Sequence, residues 1–162
     1  MNAVKIVEAN ATHEDDLKEL LALFFKADLT AVSYLATSKN VESHYTYVIL
    51  PLIMRGDPVL LAYAGDEAVG LNCLSSQLNE QYDLKYKTIH GIMTYVKEPH
   101  RRKGIATKFK RYLIEWIRSN KYERAIGEWV DKNTASLAHT QAALKEFDVQ
   151  VEKESSQYVL KL

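Results

Sequence analysis

Residues 90–107 read HGIMTYVKEPHRRKGIAT, and the order of residue types in this stretch decides the fold. With Thr88 and Ile89 before it, the run Ile92, Met93, Thr94, Tyr95 and Val96 carries the β-branched and aromatic side chains that suit a buried strand. Beyond Gly104, residues Ile105, Phe109, Tyr112, Leu113, Trp116 and Ile117 recur at helical spacing, with Lys108, Lys110, Arg111, Glu115 and Arg118 between them. A strand therefore feeds a helix through a loop that carries positive charge and a glycine. The first backbone N–H groups of a helix are unpaired and lie at its positive end, so an anion placed there is held by donors and dipole together. Gly104 lets the backbone approach such an anion closely, because no side chain stands in the way. Arg101, Arg102 and Lys103 add full charges that suit a diphosphate better than a single carboxylate. The stretch reads as a diphosphate cradle.

The basic residues from Lys97 to Lys121 outnumber Glu98 and Glu115, which also fits a solvated helix face or a nucleic-acid surface. The whole chain, however, has 21 basic and 21 acidic residues, which argues against a dedicated nucleic-acid binder. With 162 residues, 47% hydrophobic and 26% charged, the expectation is a single domain over residues 1–162 with a substantial core. No apolar run approaches the roughly 18 to 20 residues needed to span a bilayer, and the amino terminus lacks a secretory pattern. Cys73 is the only cysteine, so no internal disulfide or multi-cysteine zinc site forms. The composition predicts a cytoplasmic protein without a metal.

In chain order, Val4 to Glu8 predicts a first strand. Thr12, followed by Glu14, Asp15 and Asp16, predicts a capped helix start, and Leu17, Leu20, Leu21, Phe24 and Phe25 make its apolar stripe. Ala31, Val32, Tyr34 and Leu35 suggest a second helix, with a break at Lys39-Asn40. Tyr45, Val48, Ile49, Leu52 and Ile53 keep helical spacing into a Pro51 kink, although an extended Tyr45–Leu50 is the other reading. His44, Tyr45 and Tyr47 either pack or line a pocket. Val59–Ala64, a turn at Gly65-Asp66-Glu67 and Ala68–Ser75 read as a hairpin, followed by a polar connection to Lys87. Arg124–Val130 is the next strand, parallel to the central one because a helix crosses between them. A helix from Asp131–Thr134 to Phe147 and a final strand pair, Val149–Lys153 and Gln157–Leu162, complete the pattern.

Arg101-x-x-Gly104-x-Ala106, five residues after Val96, resembles the acyl-CoA pyrophosphate loop of the GCN5-related N-acetyltransferase superfamily, whose pattern is Arg or Gln, two residues, Gly, one residue, then Gly or Ala. The resemblance extends over almost the whole chain and is strongest from His90 to Phe109. It implies an α/β fold: a mixed central sheet of about six to seven strands flanked by helices. It also implies acetyl-CoA as cosubstrate, no metal, and transfer of the acyl group to a primary amine. A small-molecule acceptor is favoured, with no nucleic acid and no membrane as partners and a homodimer through Trp129 and the last strands as one arrangement. A protein or peptide amine is the alternative acceptor, and a catalytically silent acyl-CoA sensor the alternative function.

The resemblance assigns cofactor contacts to Arg101, Arg102, Lys103, Gly104, Ile105, Ala106 and Thr107, and to Asn133 and Ser136 on the helix beyond. Asn133 or Thr134 also suits a plain helix cap. In this family the central strand parts from its parallel neighbour near the cradle, and a freed backbone N–H polarises the thioester carbonyl. Thr94, Tyr95 and Val96 occupy that position here. The candidate catalytic residues are His90, Glu128 and Tyr95. His90 shares a strand face with Ile92, Thr94 and Val96 where many members carry glutamate, and an unperturbed histidine titrates near pH ~6.5, which suits a general base. Glu128 is the second candidate base, and either residue could instead be satisfied within the sheet. The tyrosine that often follows the position of Asn133 and acts as general acid is missing, since Thr140 and Ala142 stand there; His139, Tyr158 or water would serve instead.

Overall fold

The computed structural model describes residues 3–27, 37–77, 86–128, 141–142, 144–146, 150–154 and 157–161. Among the described residues, seven strands pair in the order β1-β2-β3-β4-β5-β7-β6: β1 Val4–Glu8, β2 Val59–Ala64, β3 Glu67–Ser75, β4 Thr88–Val96, β5 Arg124–Glu128, β6 Gln150–Glu154 and β7 Gln157–Lys161. The helices are α1 Glu14–Lys26, α2 Ser38–His44, α3 Leu50–Arg55 and α4 Ile105–Ser119. This is the expected mixed α/β class. The chain clusters into two compact units, one of Met1–Cys73 with Met93–Ile105 and one of Leu74–Ile92 with Ala106–Leu162.

In the first unit, β1 and β2 pair antiparallel from Val4↔Ala64 to Glu8↔Leu60. Gly65, at φ 66°, makes the tight turn from β2 to β3. The α1 stripe forms as its spacing predicts: Leu17, Leu20, Leu21 and Phe25 are buried, each contributing about 1.5–3 kcal/mol relative to exposure. The start of this helix differs from the expectation. Asn10, not Thr12, is the cap: its side chain accepts from the Thr12 N–H at 2.9 Å while the His13 ring accepts from the Asn10 N–H at 3.1 Å. These bonds cap a short 3-10 turn over Ala11–His13, ahead of α1. The predicted break at Lys39-Asn40 is also overturned. Thr37 caps α2 by accepting from the Asn40 N–H at 3.2 Å, so both residues lie inside the first turn.

The helical reading of Tyr45–Ile53 holds, in a form periodicity alone does not specify. Tyr45–Ile49 is a π-helical turn in which the Leu50 N–H donates to the Tyr45 carbonyl, five residues back. Pro51 falls in the first turn of α3, directly after this interruption of the regular ladder, where its missing N–H costs least. Ala31, Val32, Tyr34 and Leu35 lie outside the described residues, as does most of the connection before Tyr86.

In the second unit, β4 and β5 are parallel, as the intervening helix requires, in the register Thr88↔Arg124, Ile89↔Ala125 and His90↔Ile126. β7 lies antiparallel between β5 and β6. On α4, Phe109, Leu113, Ile114 and Ile117 are buried, with exposed Lys108, Arg111, Glu115 and Arg118 on other faces. Trp116 stacks on Tyr122, whose ring also takes the Lys87 ammonium at 4.3 Å. Helical backbone is described at 141–142 and 144–145, with Leu144 buried, while Trp129 and Val130 lie outside the described residues.

Candidate acyl-carrier site

The loop between β4 and α4 is built by local chemistry. At its start the Lys97 N–H donates to the Val69 carbonyl on β3 at 2.8 Å. Glu98–His100 then makes one 3-10 turn, with Pro99 in its first turn where no N–H is needed. Arg102 follows at φ 60° and Gly104 at φ 80°, both left-handed, with Lys103 between them on the ordinary side. Alternating handedness of this kind turns successive backbone N–H groups toward one side and makes an anion-binding concavity. A Cβ added to Gly104 would meet nothing within 4 Å, so the space in front of this backbone is open. Ile105, 2% exposed, anchors the first turn of α4; Ala106 and Thr107 continue it.

The structure sorts the basic residues of this loop in a way the sequence does not. The Lys97 ammonium lies 2.5 Å from Glu19 on α1 and 3.0 Å from Glu67 at the hairpin turn, and is 13% exposed. These acids hold its pKa above the usual lysine value against the opposing effect of burial. His100 sits 3.7 Å from the other Glu67 oxygen. Both side chains are therefore committed to partners within the fold. Arg101 donates through Nε to the Val96 carbonyl at 2.9 Å and lies 5.7 Å from the centre of the Tyr95 ring. Arg102 and Lys103 are exposed and have no charged partner among the described residues.

Tyr95 connects this loop to the helices. Its ring meets Phe24 edge-on at 6.4 Å, Phe24 lies 5.7 Å from Phe25, and Phe25 meets His44 edge-on at 5.1 Å. His44 Nε2 is buried without a hydrogen-bond partner among the described residues, and burial pushes its pKa down. Tyr45 is 3% exposed and packs in the core, whereas Tyr47 is 78% exposed. A cleft of about 450 Å³ between α1 and α2 is lined by Lys18, Glu19, Ala22, Lys26, Thr37, Val41 and Glu42.

Strand pairing places His90 at a boundary. It is the last β4 residue in register with β5, although β4 continues to Val96. A Cβ added to the next residue, Gly91, would lie 3.4 Å from the Ile126 carbonyl oxygen. His90 is half-buried. Glu128 closes β5 with its backbone in register with Gln157, and Tyr158 is in register with Gly127. Asn133, Ser136, His139 and Thr140 lie outside the described residues.

The tertiary structure gives two residues a chemistry that their place in the sequence does not announce. Asn72, 1% exposed on β3, donates from Nδ2 to the Thr94 hydroxyl at 2.8 Å; a lone amide in the apolar run VGLNCL was the available signal. Burial pushes the Lys110 ammonium down to about 8, and no acid among the described residues pairs with it. Cys73, by contrast, is fully buried with its thiol pushed up to about 12, which makes it unreactive.

The described fold matches known structures along its whole length. The N-acetyltransferase from Staphylococcus aureus Mu50 is 15% identical with a TM-score of 0.73, covering 99% of this chain and 98% of that one. The PaiA N-acetyltransferase from Thermoplasma acidophilum, solved in complex with coenzyme A, is 15% identical with a TM-score of 0.72, covering 99% of each chain. The ribosomal-protein-alanine N-acetyltransferase from Brucella melitensis is 17% identical with a TM-score of 0.71, covering 96% of each. No curated protein matches the sequence significantly. The acetyltransferase (GNAT) family profile matches residues 26–140, a span that includes β4, the basic loop and α4. The chain belongs to the GNAT acetyltransferase family.

Proposed function

We propose that this chain is an N-acyltransferase that moves an acetyl group from acetyl-CoA to the primary amine of a small molecule. The observation that carries the reading is the turn Arg101–Gly104: two left-handed residues, open space before Gly104, and two exposed basic side chains without charged partners at the start of a helix. The residues fit a diphosphate. Arg101, Arg102 and Lys103 supply charge, and the backbone from Gly104 through Ile105, Ala106 and Thr107 supplies N–H donors. Asn133 and Ser136 extend the contact along the carrier.

The thioester supplies an acyl carbon with a good leaving group, and the protein has to position it and move one proton. A backbone N–H in Thr94, Tyr95 or Val96 polarises the acyl carbonyl, with the Tyr95 ring walling the site beneath Arg101. His90 takes the proton of the attacking amine, directly or through water, and Glu128 is the second candidate for that task. The end of β4–β5 pairing at His90 supports this role, because a base at the last paired position borders the freed strand. Water protonates the departing thiolate.

Calorimetric titration with acetyl-CoA, joined to a thiol-release assay over a panel of small amines and amino-terminal peptides with wild type and His90→Ala, tests the reading. Expected are micromolar-range binding, turnover on a small amine, and turnover lost with binding retained in the variant. Binding without turnover on any amine would point to a sensor, and absence of binding would overturn the proposal.

A further inference from the structure

Asn72 is out of place for a packing residue. It stands in the middle of β3 between Leu71 and Cys73, both fully buried, and is itself 1% exposed. Its Nδ2 donates to Thr94 Oγ1 at 2.8 Å across to β4, while its Oδ1 is buried without a partner among the described residues. A buried amide with one unsatisfied end is destabilising, and an aliphatic residue would pack there at no such cost. What the amide does achieve is to fix its neighbour. Thr94 is exposed, and its hydroxyl oxygen is engaged as acceptor. A hydroxyl has one proton to give. With Asn72 Nδ2 occupying a lone pair of the oxygen, the Thr94 proton is left to be given to another acceptor.

We propose that Asn72 is a positioning residue that holds the Thr94 hydroxyl as a hydrogen-bond donor to the acyl carbonyl oxygen, beside the backbone N–H of the same strand. The inference rests on the acyl-transfer reading above, and deepens it by giving the oxygen two donors where the backbone alone gives one. In the transfer, the amine nitrogen bonds to the acyl carbon and gives its proton to the base. The C–S bond breaks, and the sulfur leaves with the electron pair. Thr94 neither gains nor loses a proton. A preoriented donor strengthens its bond as charge builds on the oxygen and loses nothing to reorientation.

Thr94→Val keeps the shape and removes the donor; Thr94→Ser keeps the donor. Asn72→Val removes the positioning amide. The expected result is that Thr94→Val lowers kcat roughly ten- to hundredfold with no more than a severalfold rise in KM for acetyl-CoA, and that Thr94→Ser restores most of the loss. The double variant Asn72→Val/Thr94→Val should be no slower than Thr94→Val alone, because Asn72 acts only through the hydroxyl. A second readout needs no turnover: calorimetry should show the affinity gain of acetyl-CoA over coenzyme A shrinking severalfold in Thr94→Val while coenzyme A itself binds as in wild type. Equal kcat and an equal acetyl-CoA to coenzyme A ratio in wild type and Thr94→Val would overturn the proposal, and additive losses in the double variant would overturn the role of Asn72. If wild type binds acetyl-CoA but acetylates no amine, the transferase reading fails and the affinity ratio still decides the Thr94 contact; if wild type binds neither coenzyme form, both fall. Thermal melting checks folding, and the exposed Thr94 pair decides the matter if Asn72→Val does not fold.

Discussion

Replacing Gly104 with valine separates backbone strain from ligand exclusion. Gly104 has φ 80°, so any L side chain there adopts a left-handed backbone, at a cost of roughly 1–2 kcal/mol. Part of this is offset by the smaller entropy of the unfolded chain, about 0.4–1 kcal/mol. The added Cβ meets nothing within 4 Å, so the β-carbon itself brings no clash in the free protein. The net destabilisation is therefore about 1 kcal/mol, a fall in Tm of about 2–4 °C for a chain of this size. A diphosphate held against the Gly104 amide faces the opposite situation, because the isopropyl group fills the space it needs. Coenzyme A affinity should fall at least about tenfold, or about 1.4 kcal/mol. Thermal melting and calorimetry of Gly104→Val and Gly104→Ala, with and without coenzyme A, read both quantities on the same samples. Wild-type affinity in Gly104→Val would refute the placement of the diphosphate, and a Tm loss beyond about 10 °C would refute the openness of the loop.

Lys110 is half-buried with no acid beside it among the described residues, so Lys110→Met should stabilise the protein at pH 7 by about 1 kcal/mol. The folded-state pKa, about 8, is below the ordinary 10.5, so the cost of burying the charge is present in full below pH 8 and disappears as pH rises from 8 to 10.5. Melts from pH 6 to 10 should therefore show the gain of the variant shrinking at high pH; a variant no more stable than wild type at pH 7 would contradict this. Lys97→Met, which abandons Glu19 and Glu67, should cost about 1 kcal/mol at neutral pH. The hydrogen bond from Lys97 holds the Glu67 pKa below its ordinary 4.5, so this contribution is present above that value and is lost as pH falls through the folded pKa. Glu67→Gln should flatten the acid limb of the Tm–pH curve, and an unchanged limb would show that the pair contributes nothing.

The amino-acid order by itself determined the elements whose cause is local. β1, the Gly65 hairpin, β4, α4 and the parallel β5 follow from side-chain alternation, turn chemistry and helical spacing, all of which act over a few residues. The glycine in the cradle was legible for the same reason: a turn before a helix calls for it wherever the chain is headed. The errors were also local competitions. Asn10 outbid Thr12 as a cap through a reciprocal bond with His13, and Thr37 carried a helix through Lys39-Asn40. Only the tertiary structure decided which charges remain for a ligand. Lys97 and His100 look like Arg102 and Lys103 in the sequence, but the first two meet Glu67, about 30 residues earlier, and the others meet no charge among the described residues. The pairing of Asn72 with Thr94 spans 22 residues and the β5-β7-β6 order spans more. Partners at such separations are chosen by strand register, and register is set by how whole faces bury, which no short window of sequence contains.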